Sequence, residues 1–341
     1  MKLLSLTRVA LGLTSLIPIA SSYPTPHETS LPLPYRILQE FPEPTWIENI
    51  AVRHNGALLL TILSPNASLY QLSHPASKRP CLSLVHTFDE VTSLLGIAET
   101  SPDVFAIVGA NFSAEGSPVN GTTVTFSVDF NKHKPVVKTI TSIPEAALPN
   151  GLTPLPHRPT TVLIADSVQG LIWRVDTLTG KYDVAMQTPQ MAVPPGASTP
   201  IGINGIHFFQ GDLYFDNGIL STMYRVKVTP TGSIAPHAAV ETVAVLDAEF
   251  LDDFSFAADG TIYVETNKDN RVIAVRPDGD GGYGEGVVVE GEATSPLLAG
   301  DTASVFGRTK ADRDVLYVVT SGGAASPGEG GKVVAIDTRG F

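Results

Sequence analysis

Four oxygen-bearing side chains stand 10–14 residues before short apolar segments that recur along the chain: Glu48, Asn150, Asn204 and Asp252. If the apolar segments are the innermost strands of equivalent repeated units, the side chains that precede them converge on one point. The matching windows at 93–95 and 302–304 hold weak ligands or none. The spacing therefore predicts one polar site built from four of the repeats.

Two carboxylates and two amides form a hard donor set with two negative charges. Such a set suits Ca²⁺, Mg²⁺ or Mn²⁺, with water completing the coordination shell. A divalent ion there could polarise a carbonyl or lower the pKa of a bound water. The alternative is that Asn150-Gly151 and Asn204-Gly205 are ordinary turn dipeptides. Both interpretations stay open on the sequence alone.

The apolar segments themselves recur about every fifty residues. They are centred on Leu59, Phe105, Ile164, Tyr214, Tyr263 and Tyr317. Each is followed by a turn and a second strand-like segment, and no helical periodicity intervenes. A sustained period of this length is typical of the four-stranded blades of a propeller. The sequence predicts an all-β fold, a six-bladed β-propeller over residues 35–341; two sandwich domains are the alternative.

The last repeat ends soon after Ile336, which leaves it one outer strand short. Tyr35–Gln39 reads as a strand that has no blade of its own. Pairing of this N-terminal strand with the segment Lys332–Ile336 would complete the last blade and remove the open edges of a linear array. We therefore expect the two ends of the chain to close the ring together.

The N-terminus has the features of a secretory signal peptide over residues 1–22. Lys2 and Arg8 form a basic start, residues 9–20 are apolar, and small residues follow before Tyr23. Residues 23–34 are Pro-rich and are expected to be extended. Sequons at Asn66, Asn111 and Asn120 favour a glycoprotein of the secretory pathway. No later stretch is long and apolar enough to span a bilayer.

Composition and motifs exclude several classes of function. The formal net charge of −12 argues against nucleic acid as a partner. The chain lacks the Gly-x-Ser-x-Gly elbow of serine hydrolases and the His-Glu-x-x-His pair of zinc proteases. Its single cysteine, Cys81, cannot form an internal disulfide and is expected to be buried. The oligomeric state is left open.

Several segments resemble the senescence-marker-protein/gluconolactonase family of six-bladed propellers. Pro149-Asn150-Gly151 and Ile203-Asn204-Gly205-Ile206 are similar to the family's two Asn ligand motifs, and Leu251-Asp252-Asp253-Phe254 to its ligand-Asp motif. The resemblance implies that Asp252 is also a general base and that Glu48 is the first-blade ligand. Asn49-Ile50 and Asp253 depart from the family's Gly-Pro and Gly, which predicts a different pocket floor.

A second resemblance is to secreted fungal members of this group. It rests on Leu95–Phe105 in the second repeat and on Gly307-Arg308 with 314–323 in the last. Some members are hetero-Diels–Alderases that join an o-quinone methide of the tropolone type to a polyene such as humulene. The resemblance implies a natural-product cyclase in terpenoid secondary metabolism, acting on small molecules and requiring no cofactor.

Such a cyclase needs an apolar cavity that holds two reactants in register, because much of the barrier is orientation. Trp46, Phe208 and Phe254 are the candidate substrate-binding walls. His207 or Asn204 could hydrogen-bond a tropolone oxygen, and Phe208 and Phe254 could instead be inter-blade packing. The other functional hypotheses are a metal-dependent lactonase or esterase, in which Asp252 is catalytic, and a non-catalytic binding propeller.

Overall fold

The computed structural model describes residues 30–114, 116–323 and 329–341, and these residues form six four-stranded antiparallel sheets. The predicted signal peptide and most of the Pro-rich segment lie outside the described residues. Among the described residues the only helices are two short 3₁₀ turns, Pro189–Met191 and Asn267–Asp269, and no helix could cross a membrane. The all-β expectation is confirmed.

The first three blades run in chain order. Blade one contains β2 (Trp46–Val52), β3 (Leu58–Ser64), β4 (Ser68–Ser73) and β5 (Cys81–Thr87). Blade two contains β6 (Ser93–Ser101), β7 (Val104–Ala110), β8 (Val124–Asp129) and β9 (Val136–Ser142). Blade three contains β10 (Pro149–Leu155), β11 (Arg158–Asp166), β12 (Leu171–Asp176) and β13 (Tyr182–Gln187).

The other three blades complete the ring. Blade four contains β14 (Ile203–Phe209), β15 (Asp212–Asn217), β16 (Thr222–Lys227) and β17 (Glu241–Val245). Blade five contains β18 (Phe254–Phe256), β19 (Ile262–Glu265), β20 (Arg271–Pro277) and β21 (Tyr283–Gly291). Blade six contains β22 (Asp301–Phe306), β23 (Val315–Thr320), β24 (Lys332–Asp337) and β1 (Tyr35–Glu40).

The N-terminal strand closes the last blade, as expected from the sequence. Strand β1 pairs antiparallel with β24, with Tyr35 opposite Ile336 and Glu40 opposite Lys332. The amide of Asp337 also donates to the carbonyl of Pro34 (2.8 Å). The two chain ends are thus held in one sheet, which leaves β24 with a partner on both sides.

The strand order corrects one part of the sequence interpretation. The recurring apolar segments were expected to be the innermost strands, but they lie in the second strands β3, β7, β11, β15, β19 and β23. The first strands β2, β6, β10, β14, β18 and β22 contact one another in a closed ring. The second strands are the most apolar because blades cover both of their faces.

Each interface between neighbouring blades has its own apolar cluster. Leu58, Leu60 and Ile62 of β3 pack with residues of blade six, whereas Leu59 packs with residues of blade two. All four side chains are 0–1 % exposed. Burial on both faces explains why β3 reads as an uninterrupted apolar run and not as an alternation.

The Asn-Gly pairs are not turns. Asn150-Gly151 lies inside β10 and Asn204-Gly205 inside β14. A Cβ built on Gly151 would lie 2.7 Å from the carbonyl oxygen of Asn204, and one on Gly205 would lie 2.4 Å from Oδ1 of Asp253. Glycine is therefore required because the innermost strands approach each other closely around the channel.

Two further expectations concern the surface. Cys81 is exposed at the start of β5, so the expectation that it is buried was wrong; the strand is the outermost of its blade. Asn66 and Asn120 are exposed and Asn111 is partly buried. Glycosylation at these three positions stays a prediction.

Candidate functional site

The four predicted oxygen donors lie at one end of the central channel. Glu48, Asn150 and Asn204 stand near the start of β2, β10 and β14, and Asp252 lies two residues before β18. Because the innermost strands run in the same direction around the ring, these positions share one face of the propeller. All four are nearly inaccessible, with exposures of 7, 9, 1 and 8 %.

Two amides hold the carboxylate of Asp252. The Asn204 side-chain Nδ2 donates to Asp252 Oδ1 (2.9 Å), and the Asn267 Nδ2 donates to Oδ2 (2.6 Å). The Oδ1 atom of Asn204 is buried and has no hydrogen-bond partner. Asn267 was not found from the sequence, because it follows the second strand of blade five and not the first.

Glu48 and Asp252 are destabilised as anions by the same cause. Burial raises the pKa of Glu48 to about 7, against a lowering hydrogen bond from the Trp46 indole N–H (2.6 Å to Oε2), and the Asp253 carboxylate adds to the rise. Burial, followed by repulsion from Glu48, raises the pKa of Asp252 well above its usual value. At this edge of the channel a proton or a cation would relieve the repulsion.

The Asp253 side chain contacts residues from two opposite blades of the ring. Its Oδ2 accepts a hydrogen bond from Asn49 of β2 (3.1 Å), and its Oδ1 lies 2.7 Å from Nε2 of His207 in β14. Blades one and four lie opposite each other in the ring of six blades, so this carboxylate, which belongs to blade five, forms contacts with both. The sequence marked Asp253 and Asn49 only as departures from a family pattern and gave no signal of this contact.

The remaining predicted residues differ in their burial and in their contacts. Phe254 is fully buried and packs edge-on against His207, with ring centroids 4.9 Å apart. Phe208 is partly buried and packs against the cluster between blades three and four. Trp46 is partly exposed at the start of β2. Contact between any of these three side chains and a substrate stays a prediction.

Three more acids lie in the interior on this side of the ring. Asp216, Glu265 and Asp301 are each 0 % exposed, and each has at least one oxygen without a hydrogen-bond partner. Burial is the main reason that the pKa of each lies well above its usual value, and the Asp253 carboxylate adds to the shift at Asp216 and Glu265. The interior of this end of the channel is therefore rich in acids that favour the neutral form.

A divalent cation fits part of this donor set. Within the described residues, no group of three or more His, Cys, Asp or Glu side chains is arranged as a metal centre. A cation here would therefore rely on the two carboxylates of Glu48 and Asp252 together with amide oxygens. The unpartnered Oδ1 of Asn204 is such an oxygen, and hard divalent ions accept it.

A cavity of about 480 Å³ lies elsewhere, on the outer strands of blade three. It is lined mainly by polar side chains, among them Arg158, Arg174, Asp176 and Asp183. Arg174 and Asp183 already form an ion pair there, and the cavity shares no residue with the channel site. The four predicted oxygen donors and the pair of Asp253 and His207 therefore lie outside this cavity.

Two fungal proteins are similar to this chain over most of its length. A protein of Phoma sp. named "Putative hetero-Diels-Alderase" is 36% identical over 319 residues, which cover 86% of this chain and 89% of that protein. A protein of Sarocladium schorii that carries the same description is 33% identical over 346 residues, which cover 91% and 85%. No family model matches the chain.

Solved structures agree on the fold. The regucalcin of Agrobacterium tumefaciens, described as a calcium-binding protein, superposes with a TM-score of 0.60 at 18% identity and covers 90% of this chain. The match spans 96% of the regucalcin chain. At this identity the similarity establishes the propeller fold and no more.

Proposed function

The chain belongs to the family of the fungal proteins named as hetero-Diels-Alderases, and on that premise we propose that it joins an o-quinone methide of the tropolone type to a polyene such as humulene. The observation that carries this proposal is the identity of 33–36% over more than four fifths of the chain. From the signal peptide that the sequence predicts over residues 1–22, we expect this reaction to take place in the secretory pathway or outside the cell.

The reaction forms two bonds between two neutral partners and releases nothing, so the protein has no group to transfer. Its contribution is to hold the reactants in one orientation, and pre-orientation of this kind is worth up to ~7–11 kcal/mol of a barrier. The indole of Trp46 is suited to be such a wall. Its N–H is fixed by Glu48, which leaves the aromatic face as the part that a reactant would meet.

A hydrogen bond to an oxygen of the heterodiene would add to this effect by fixing its position. His207 is the best placed group, because one third of its side chain is exposed while Asp253 holds one ring nitrogen. Asn204 is less suited in this conformation, since it is 1 % exposed and its amide nitrogen is bonded to Asp252. The proposal therefore assigns polar recognition of the substrate mainly to His207.

The test uses the purified mature chain, an o-quinone methide released in solution from a stable precursor, and humulene. We expect the protein to accelerate formation of the adduct and to give one stereoisomer, measured by chiral chromatography, against a heat-denatured control. Trp46→Ala should lower the rate and the stereoisomeric excess, whereas Trp173→Phe, in the core of blade three, should not. Adduct formed at the uncatalysed rate as a mixture of isomers would refute the proposal.

A metal-dependent lactonase or esterase is the second candidate. The buried, mutually repelling carboxylates of Glu48 and Asp252 and the unpartnered Asn204 oxygen favour it. Glu48, Asn150, Asn204 and Asp252 would hold the cation, which supplies a Lewis acid when bound. In this case chelator and Asp252→Asn should each abolish turnover of a lactone, by ~10²–10⁴-fold. Cyclisation that survives chelator with full rate would count against this candidate.

A further inference from the structure

The orientation of Asn49 is fixed by its own backbone neighbour. The amide of Ile50 donates to Asn49 Oδ1 (2.9 Å), so the opposite end of the side chain, Nδ2, must face Asp253. Asn49 is 8 % exposed, which leaves it no alternative partner in water. Asp253 Oδ2 is therefore an acceptor.

The other oxygen of Asp253 is an acceptor for a similar reason. Oδ1 accepts a hydrogen bond from the backbone amide of Phe254 (2.9 Å) and also lies 2.7 Å from His207 Nε2. Both oxygens of Asp253 thus already accept a hydrogen bond, one from Asn49 and one from the amide of Phe254, and the geometry points to Asp253 as an acceptor toward His207 as well. The hydrogen in the contact with His207 consequently belongs to the imidazole.

The backbone has also been adapted to this contact. Gly205 lies two residues before His207, and any Cβ at this position would be 2.4 Å from Asp253 Oδ1. Phe254 supports the imidazole edge-on at 4.9 Å. The ring of His207 is thus held by a hydrogen bond at one nitrogen and by aromatic packing.

We propose that Asp253 is a positioning residue that holds His207 as the Nε2–H tautomer, so that Nδ1 presents its lone pair to a substrate with an acidic hydroxyl next to a carbonyl. In a neutral imidazole one nitrogen donates and the other accepts, and the hydrogen bond of the first decides which. No described residue forms a hydrogen bond with Nδ1 of His207. The recognised group is therefore a hydroxyl donor, and a bare carbonyl would not be held.

This inference rests on the proposed function for the substrate group that it names and for its kinetic arm, but not for the tautomer of His207. The first experiment needs no turnover: ¹⁵N resonances of the histidine rings are recorded at pH 8, with His207 assigned from their loss in His207→Gln. We expect His207 to show the Nε2–H pattern. In folded Asp253→Asn the new amide presents a donor as well as an acceptor, so a share of the Nδ1–H tautomer should appear.

A matched control separates this effect from a general loss of charge. Asp183 of β13 forms an ion pair with Arg174 of β12, on the outer strands of blade three. Asp183→Asn removes this carboxylate and should leave the His207 pattern unchanged. Wild-type His207 in the Nδ1–H form would overturn the proposal, and so would an unchanged pattern in folded Asp253→Asn.

The second experiment uses tropolone and its methyl ether as probes. Tropolone carries the hydroxyl donor and should shift the Nδ1 resonance of His207, whereas the methyl ether lacks the donor and should not. Equal shifts from both compounds would overturn the assignment of the recognised group. Neither outcome depends on whether the protein catalyses cyclisation.

The kinetic arm asks whether Asp253 acts through His207. Asp253→Asn should lower kcat of the cyclisation about tenfold or more while KM changes less, and the double variant with His207→Gln should be no slower than His207→Gln alone. Additive losses would show that Asp253 has a separate role and would overturn the positioning claim. If the wild-type protein does not catalyse the cyclisation, the proposed function fails. The tautomer experiment still tests the role of Asp253 independently.

Discussion

Asp166 and Glu265 occupy similar places in the fold and differ in the hydrogen bonds that their carboxylates accept. Each is the last residue of a second strand, β11 in blade three and β19 in blade five, and each is 0 % exposed. The carboxylate of Asp166 accepts four hydrogen bonds, from the amides of Ala147, Leu148 and Gln169 and from the Trp173 indole. Neither carboxylate oxygen of Glu265 has a hydrogen-bond partner.

The comparison shows that burial alone does not decide what a carboxylate does. Four donors replace the lost water around Asp166, so its charge fastens the loop before β10 to the turn after β11. Around Glu265 nothing replaces the water. Burial raises the pKa of Glu265 well above the usual range. The nearby Ser304 hydroxyl opposes this rise, and the carboxylates of Asp253 and Asp301 add to it.

The two residues also differ in their neighbourhood. Asp166 serves one blade, whereas Glu265 belongs to the group of interior acids around Asp252 and Asp253. Natural sequences keep such unsatisfied groups mainly where function requires them. The contrast therefore separates a carboxylate that stabilises the fold from carboxylates that lower stability at the candidate site.

The largest expected effect is the loss of Asp166. Asp166→Ala leaves three backbone amides, one of them buried and two partly buried, and a buried indole N–H without their acceptor. We expect a loss of ~3–5 kcal/mol in the free energy of unfolding. Urea denaturation followed by tryptophan fluorescence and circular dichroism would measure it. Asp183→Ala, on the exposed strand β13, is the matched control and should cost under ~1 kcal/mol. Similar losses in both variants would break the comparison.

A pH effect of intermediate size is expected from Glu48. Because its pKa rises from 4.5 in the unfolded chain to about 7 in the fold, the folded state binds the extra proton between these values. This contribution is complete below pH 4.5 and is lost as the pH rises through 7, and it amounts to about 3 kcal/mol. Urea midpoints measured with chelator present should therefore fall over this interval.

Glu48→Gln keeps an acceptor for the Trp46 indole and removes the titration. Its stability should fall less between pH 5 and pH 8 than that of the wild type, by the contribution of Glu48. The same slope in both proteins would assign the pH dependence to the other interior acids. A slope of opposite sign would mean that the ionised form of Glu48 is the stabilised one.

The fold could be predicted from the sequence because its signals are local and repeated. The apolar segments at Leu59, Ile164 and Tyr263 mark second strands that are buried on both faces, and their period fixes the number of blades. The orphan strand Tyr35–Gln39 and the short last repeat were enough to predict the closure. What the period could not give is which strand of each blade lines the channel, since the most apolar strand is the second.

The contacts of the site could be predicted only in part. Glu48, Asn204 and Asp252 share positions in the repeat, so their common location could be read from spacing. The hydrogen bond between Asn49 and Asp253 joins residues 204 positions apart, and no local pattern indicates it. Asn204-Gly205 matches a common turn dipeptide, and only the close approach of Asp253 shows why a glycine is required at position 205.

The smallest expected effect completes the comparison. Glu265→Gln keeps the volume of the side chain and removes a group that folding must hold in its neutral form. Because the pKa of Glu265 is raised, its protonation costs free energy only above the ordinary pKa of a glutamate. With chelator present, we expect the variant to be more stable than wild type at pH 8 by about 1 kcal/mol and equal to it near pH 4, measured by urea denaturation. If Glu265→Gln is instead less stable at pH 8, the ionised carboxylate has a partner in the folded protein. Glu265 would then resemble Asp166, and the distinction between the two regions would fail.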